Sequence, residues 1–143
     1  MKKTDVLVTG TFNIVHAGHV RLLEFASRYG SVTVGLNADP YLKKKYGDKA
    51  VPLIDRTYVL SSNKYVDNVI VFMEDTPLKL IKKLKPRVYI KGPDYINIDL
   101  PEAEALASVG AHVIIQPAVK EYSSTELVEN LPETVFKKLD KYT

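Results

Sequence analysis

The chain has 143 residues, with 20 Lys plus Arg, 17 Asp plus Glu, no Cys and no Trp; this predicts one domain, residues 1–143, with 45% hydrophobic and 26% charged residues typical of an ordered globular protein. The lack of cysteine excludes a disulfide scaffold, a Cys-ligated metal and a thiol nucleophile, and no apolar run reaches the roughly 18 residues of a membrane span. The opening Val6-Leu7-Val8 is too short for a signal-peptide core, and the formal charge of +3 suits a small anionic substrate without by itself indicating nucleic acid, so a cytoplasmic protein acting away from membrane and nucleic acid is expected.

Residues 5–12 form a short β-branched run closed by Gly10, a predicted buried strand. From His16 to Tyr29, apolar residues including Val20, Leu22, Leu23, Phe25 and Ala26 make one broad helical face, and Gly30 supplies the stop. Residues 31–37 read as a second strand. The stretch 38–52 is lysine-rich and holds Pro40, Gly47 and Pro52, so it reads mostly as loop. A helix is predicted over 55–64, with Asp55 near its start, and a strand over 68–72. Another helix starts at Thr76, with Pro77 at its first position and Leu78, Ile81 and Leu84 turned inward. Residues 87–91 read as the fourth strand, Gly92-Pro93-Asp94 as a turn, 101–110 as a helix and 112–116 as the fifth strand. Ser123 to Glu126 matches a capping box that opens a last helix or pair, broken at Pro132.

This alternation predicts an α/β fold: a single Rossmann-like parallel five-stranded sheet with helices on both faces. Ligands of such sheets bind beyond the carboxyl ends of the strands, near the point where strand order reverses. That rule gathers segments 10–19, 37–45, 91–95 and 122–125 onto one rim, all rich in hydroxyl, lysine, histidine or glycine.

The sharpest signal lies in Gly10-Thr11-Phe12-Asn13-Ile14-Val15-His16-Ala17-Gly18-His19, between the first strand and the first helix. His16 and His19, three apart in a first helical turn, share a face. The helix start offers unpaired N–H groups and a partial positive charge, and Gly10 and Gly18 leave room for a bulky anion. The expectation is a phosphate cradle with two imidazoles facing it. A zinc pair is not expected: there is no Cys, the third histidine is His112, and no carboxylate follows at ligand spacing. His112 opens a strand and reads as structural.

Gly-Thr-Phe-Asn followed by His-Ala-Gly-His resembles the signature of the cytidylyltransferase-like nucleotidyltransferase superfamily, and the resemblance spans almost the whole chain. Arg56 with Tyr65-Val66-Asp67 resembles the family's central helix and next strand. Glu74-Asp75-Thr76-Pro77, Lys91-Gly92-Pro93-Asp94-Tyr95 and Ser123-Ser124-Thr125 look most like the adenylyltransferase domain of ADP-heptose synthase. Glycerol-3-phosphate cytidylyltransferase is a similar but poorer match there. The family's Gly-Thr-Phe-Asp carries Asn13 in place of the acid. The cytidylyltransferases' Arg-Thr-x-Gly-Ile-Ser-Thr-Thr reads Ala118-Val119-Lys120-Glu121-Tyr122-Ser123-Ser124-Thr125, without the Arg and the Gly. The heptose-type adenylyltransferases lack that Arg too, which favours ATP over CTP.

The resemblance implies transfer of a nucleoside monophosphate, AMP in preference to CMP, from ATP or CTP to a sugar or polyol phosphate, with Mg²⁺ on the phosphates and pyrophosphate released. It implies that His16 and His19 contact the α-phosphate and that one of Lys43, Lys44 and Lys45 reaches over the site. Gly10, Thr11, Phe12 and Gly18 would border the nucleotide, with Lys91, Gly92 and Asp94 near ribose and base. Ser123, Ser124 and Thr125 would hold the β- and γ-phosphates. Asn13, Arg56 and Lys64 would face the acceptor, Arg56 being equally readable as a structural ion-pair partner. A homodimer is expected from the family. A glycerol-3-phosphate type cytidylyltransferase is the same-fold alternative, and Asn13 leaves open a nucleotide-binding module with impaired catalysis.

Overall fold

In the computed structural model, which describes residues 4–95 and 100–117, the five apolar runs form strands. They are β1 (Val6–Gly10), β2 (Val32–Asn37), β3 (Asn68–Phe72), β4 (Val88–Lys91) and β5 (His112–Ile115). Every neighbouring pair is parallel, in the order β3-β2-β1-β4-β5. Val6 pairs with Val32 on one side and Val88 on the other, and Val88 with His112, so the strands start level on one rim and end on the opposite one. The chain moves outward from β1 through β2 to β3, then crosses back to place β4 on the far side of β1. The strand order therefore reverses between β1 and β4, where the hydroxyls of Thr9 and Tyr89 hydrogen-bond at 2.6 Å.

A parallel sheet must be covered on both faces, and alternation along each strand supplies both. Val6 and Val8 turn toward α1 (Ala17–Ser27) and α3 (Leu53–Ser61), forming a core with Leu23, Ala26 and Leu60. Leu7 and Tyr89 turn the other way, toward α4 (Leu78–Leu84) and α5 (Ala103–Ser108), packing with Leu80, Ile81 and Leu106. Each fully buried leucine contributes about 1.5–3 kcal/mol over leaving it in water. Gly35 sets the approach of α4 to β2, because a Cβ there would lie 2.7 Å from Leu80 Cδ2. Among the described residues, no helix is long and apolar enough to cross a membrane.

The stretch 38–52 departs from the loop expected there. It holds α2 (Asp39–Tyr46) and a 3-10 turn (Gly47–Lys49). Pro40 falls in the first turn, where its missing N–H is harmless, and Lys43, Lys44 and Lys45 occupy the last turn, where cations suit the helix dipole. Leu42 is the helix's one buried residue, so the segment carries no apolar periodicity to read. The helix expected over 55–64 starts directly after Pro52 and ends at Ser61. Pro77 precedes α4 instead of occupying its first position. The capping box at Ser123 to Glu126 lies outside the described residues.

Candidate active site

A cleft of about 690 Å³ opens beyond the carboxyl ends of the strands, at the reversal between β1 and β4. Three of the four segments assigned to this rim contribute to it: the turn after β1 with the start of α1, the end of β2 with α2, and the turn after β4. Residues of the fourth lie outside the described residues.

The amino end of α1 is closed by its own histidines. His16 is the N-cap residue, with extended backbone (φ −129°, ψ −179°), and its Nδ1 accepts from the Gly18 N–H at 3.1 Å. His19 answers: its Nδ1 accepts from the His16 N–H at 3.2 Å. This is a capping box built from two imidazoles in place of Ser and Glu. Since both Nδ1 atoms accept, the neutral rings carry their protons on Nε2. The ring centroids are 4.0 Å apart at 34°. Burial, then the neighbouring His16, push His19 down to about 4, with the Ile14 carbonyl opposing. At neutral pH His19 is thus uncharged.

The spacing has a steric origin as well. A Cβ at Gly18 would lie 2.8 Å from Cε1 of His16, so the glycine makes room for the capping ring itself. Likewise the space over Gly10 is covered by Phe12, whose Cε2 would stand 3.2 Å from a Cβ there. Phe12 is buried and adopts φ 45°, a left-handed conformation rare for a bulky residue. Its ring meets His19 with centroids 5.1 Å apart. Packing therefore holds a strained backbone in place beneath the imidazole pair.

Gly10, Thr11, Phe12, His16, Gly18 and His19 all line the cleft, as do Lys91, Gly92 and Asp94 after β4. Of the three lysines on α2, Lys45 lines it, one turn from Tyr41 on the same helix face. Lys44 instead approaches Asp75 at 3.7 Å with both side chains largely exposed, a pair worth little. Lys43 is exposed and does not line the cleft. Burial lowers the pKa of the Lys91 ammonium, and Glu102 favours its charged form.

Three residues expected near the acceptor are placed otherwise. Arg56 is 1% exposed. Its guanidinium donates to the carbonyls of Val51 (2.9 Å), Asn37 (2.7 Å) and Thr11 (3.2 Å) and to Asp39 Oδ1 (3.0 Å). It ties the turn after β1, the end of β2 and the start of α2 together, and is sealed from any ligand. Asn13 accepts from the Val51 N–H at 2.7 Å and donates to the Lys49 carbonyl at 3.1 Å. An aspartate could accept the first bond but not donate the second, so the asparagine fits this pinning of the 49–51 backbone. Lys64 lies between α3 and β3, at the amino rim opposite the cleft, with its Nζ 5.0 Å from the Tyr65 ring centroid. Because α3 runs back against the strands, it carries its last turn away from the site. Ser123, Ser124 and Thr125 lie outside the described residues.

The cleft also takes in Arg21, Asn37, Tyr41, Asp75, Glu102 and Gln116, which sequence reasoning did not single out. Asn37 ends β2 and follows from the rim rule. Tyr41 would follow from Lys45 once α2 is recognised. Glu102 and Gln116 carry no sequence signal, because their place depends on how α5 and β5 pack. Among the described residues, no group of three or more His, Asp or Glu is set to hold a metal.

These features have counterparts in known proteins. The family model described as cytidylyltransferase-like matches residues 7–130, and the chain belongs to that family of nucleotidyltransferases. It is 42% identical over 133 residues to the bifunctional protein HldE of Streptomyces coelicolor, covering 91% of this chain and 29% of that protein. To the bifunctional protein HldE of Geobacter metallireducens it is 38% identical over 133 residues, covering 90% and 27%. The chain thus spans less than a third of the length of these curated relatives. Among solved structures, it resembles the lipopolysaccharide core biosynthesis protein from Thermoplasma volcanium, with a TM-score of 0.63 and 24% identity over 80% of this chain and 94% of that one. Pantoate-beta-alanine ligase from Francisella tularensis gives a TM-score of 0.59 and 17% identity over 99% and 70%. These structural likenesses establish the shared Rossmann-like fold.

Proposed function

We propose that the chain transfers a nucleoside monophosphate, AMP in preference to CMP, from a nucleoside triphosphate to a sugar or polyol phosphate and releases pyrophosphate. The observation that carries this reading is the pair of close, mutually tilted imidazoles at the amino end of α1, set in a cleft at the strand-order reversal with Lys45 also in its wall. Family membership supports the reaction class. The heptose-type segments and the missing arginine before Ser123 support ATP.

A phosphate monoester carries about −1.5 to −2 charge near neutral pH, so the acceptor oxygen needs no strong base to attack the α-phosphorus. Rate then comes from alignment and from stabilising the charge that gathers on the five-coordinate phosphorus and the departing pyrophosphate. His16 and His19 act there, held in one orientation by their Nδ1 bonds. The bound triphosphate favours imidazolium, so His19 gains proton affinity as the nucleotide enters, and taking a proton on Nδ1 would release its bond from the His16 N–H. Lys45 steadies the triphosphate and transition state, and Arg21 takes the place once expected of Arg56 and Lys64 beside the acceptor phosphate. Ser123, Ser124 and Thr125 hold the outer phosphates. Mg²⁺ would enter with the triphosphate and neutralise part of its charge, and Asp75 and Asp94 in the cleft wall would hold it through its water ligands.

Incubation with Mg²⁺, each triphosphate in turn and a panel of phosphate monoesters tests the proposal. Pyrophosphate release with ATP and a sugar phosphate is expected. Release with CTP alone would reassign the base, and nucleotide binding without release for any pair would mean a catalytically impaired module. His16→Ala and His19→Ala should each slow release by about 10²-fold or more.

A further inference from the structure

Glu102 is a buried titratable group in the cleft that the reaction above does not use. Its side chain is 7% exposed and lines the cleft. Although it stands at the N-cap of α5, it makes no capping bond, and among the described residues its Oε2 has no hydrogen-bond partner. Buried polar atoms are seldom left this way, because a lost hydrogen bond to water is not replaced. The carboxylate also stands in a cleft proposed to take a polyanion. Like charge bars it from the triphosphate, which has His16, His19 and Lys45 along its path. An ionised carboxyl only accepts, so its complement is an N–H or O–H donor. Val8, Ile90, Pro93 and Pro117 give the same cleft an apolar lining suited to a flat ring, and a Cβ on Gly92 would meet nothing within 4 Å, so the turn after β4 leaves open space.

We infer that Glu102 reads the nucleoside, accepting a hydrogen bond from an uncharged donor on it: the exocyclic amino group of the base or a ribose hydroxyl. This rests on the nucleotide reading given above and adds to it a specificity-determining residue. Lys91, whose charged form Glu102 favours, shares that end of the cleft and offsets the carboxylate's repulsion of the phosphates.

The test is Glu102→Met, which keeps the length of the side chain and removes both acceptor oxygens, with affinities measured by calorimetry for ATP, CTP, 2′-deoxy-ATP, 3′-deoxy-ATP, purine riboside triphosphate and inorganic tripolyphosphate, all with Mg²⁺. The variant should bind ATP about tenfold to a hundredfold more weakly and tripolyphosphate unchanged. One analogue should bind the wild type as weakly as ATP binds the variant and be indifferent to the substitution. If it is the purine riboside, Glu102 reads the amino group; if a deoxy nucleotide, the ribose. The empty variant should melt no lower than the wild type. Equal losses for tripolyphosphate and ATP, unchanged ATP affinity, or a marked fall in melting temperature would each overturn the assignment of Glu102 alone. A wild type that takes up no triphosphate would overturn the nucleotide reading itself.

Discussion

Replacing Gly18 with alanine separates what the glycine does for folding from what it does for the site. Alanine is favoured over glycine in a helix by about 1 kcal/mol in the interior and by less in a first turn. Against that gain stands the contact of the new Cβ, 2.8 Å from Cε1 and 3.1 Å from Nδ1 of His16. Carbon atoms at rest sit about 3.5–4.0 Å apart, so the ring must withdraw by roughly an ångström. The atoms in the way belong to a side-chain end, and the backbone need not move. Withdrawal breaks the Nδ1 bond to the Gly18 N–H, a cap worth about 1 kcal/mol. Gain and loss nearly cancel, and the melting temperature should stay within about 4 °C of the wild type. Turnover should not survive as well: displacing a catalytic group by about 1 Å lowers rates by about 10²-fold. Thermal unfolding, pyrophosphate release and the ¹⁵N shifts of the His16 ring read the three quantities. A Gly18→Ala enzyme turning over within threefold of the wild type would refute the steric account of this motif.

Other expectations follow from the same geometry. Arg56→Met leaves three carbonyls and the Asp39 carboxylate without their buried donor and should lower stability by about 3–5 kcal/mol in urea unfolding; unchanged stability with a raised KM for the acceptor would return Arg56 to the ligand role. Among single alanine substitutions of Lys43, Lys44 and Lys45, only Lys45→Ala should lower kcat/KM strongly, and three equal small losses would show that α2 supplies general charge alone. The pKa of His19 is lowered from 6.5 to about 4 on folding, so the unfolded chain binds a proton in that window that the folded chain refuses. Its contribution is fully present above pH 6.5 and is lost as pH falls toward 4. His19→Gln should therefore flatten the fall in urea midpoint over that range, and a parallel pair of curves would contradict the shift.

Most of the architecture was legible because strands β1 to β5 are apolar runs set between helices or polar connections, and a sheet covered on both faces demands nothing subtler. The rim on which the cleft opens follows from that topology alone. What escaped was decided by burial and neighbours. The helix α2 keeps a single buried residue, Leu42, and so has no periodicity, while Pro40 resembles a breaker although it sits where proline is harmless. Arg56 reads as a ligand through the resemblance; its burial comes from the turn after β1, the end of β2, the start of α2 and the Val51 carbonyl converging on it, which no local pattern records. The departure at Asn13 looked like a lost carboxylate, yet its amide serves both a donor and an acceptor of the 49–51 backbone. The left-handed Phe12 carries no sequence mark at all, since phenylalanine seldom adopts that conformation unless its surroundings impose it.

The chain has three histidines, which makes one titration unusually direct. His16 and His19 line the cleft, whereas His112 opens β5 at the opposite rim. Following the three imidazole Cε1–H resonances while ATP and Mg²⁺ are added places the triphosphate on the molecule without relying on turnover. The resonances of His16 and His19 should shift together and saturate, with that of His112 unmoved. Three stationary resonances, or a shift at His112 equal to the other two, would contradict a triphosphate held at the amino end of α1.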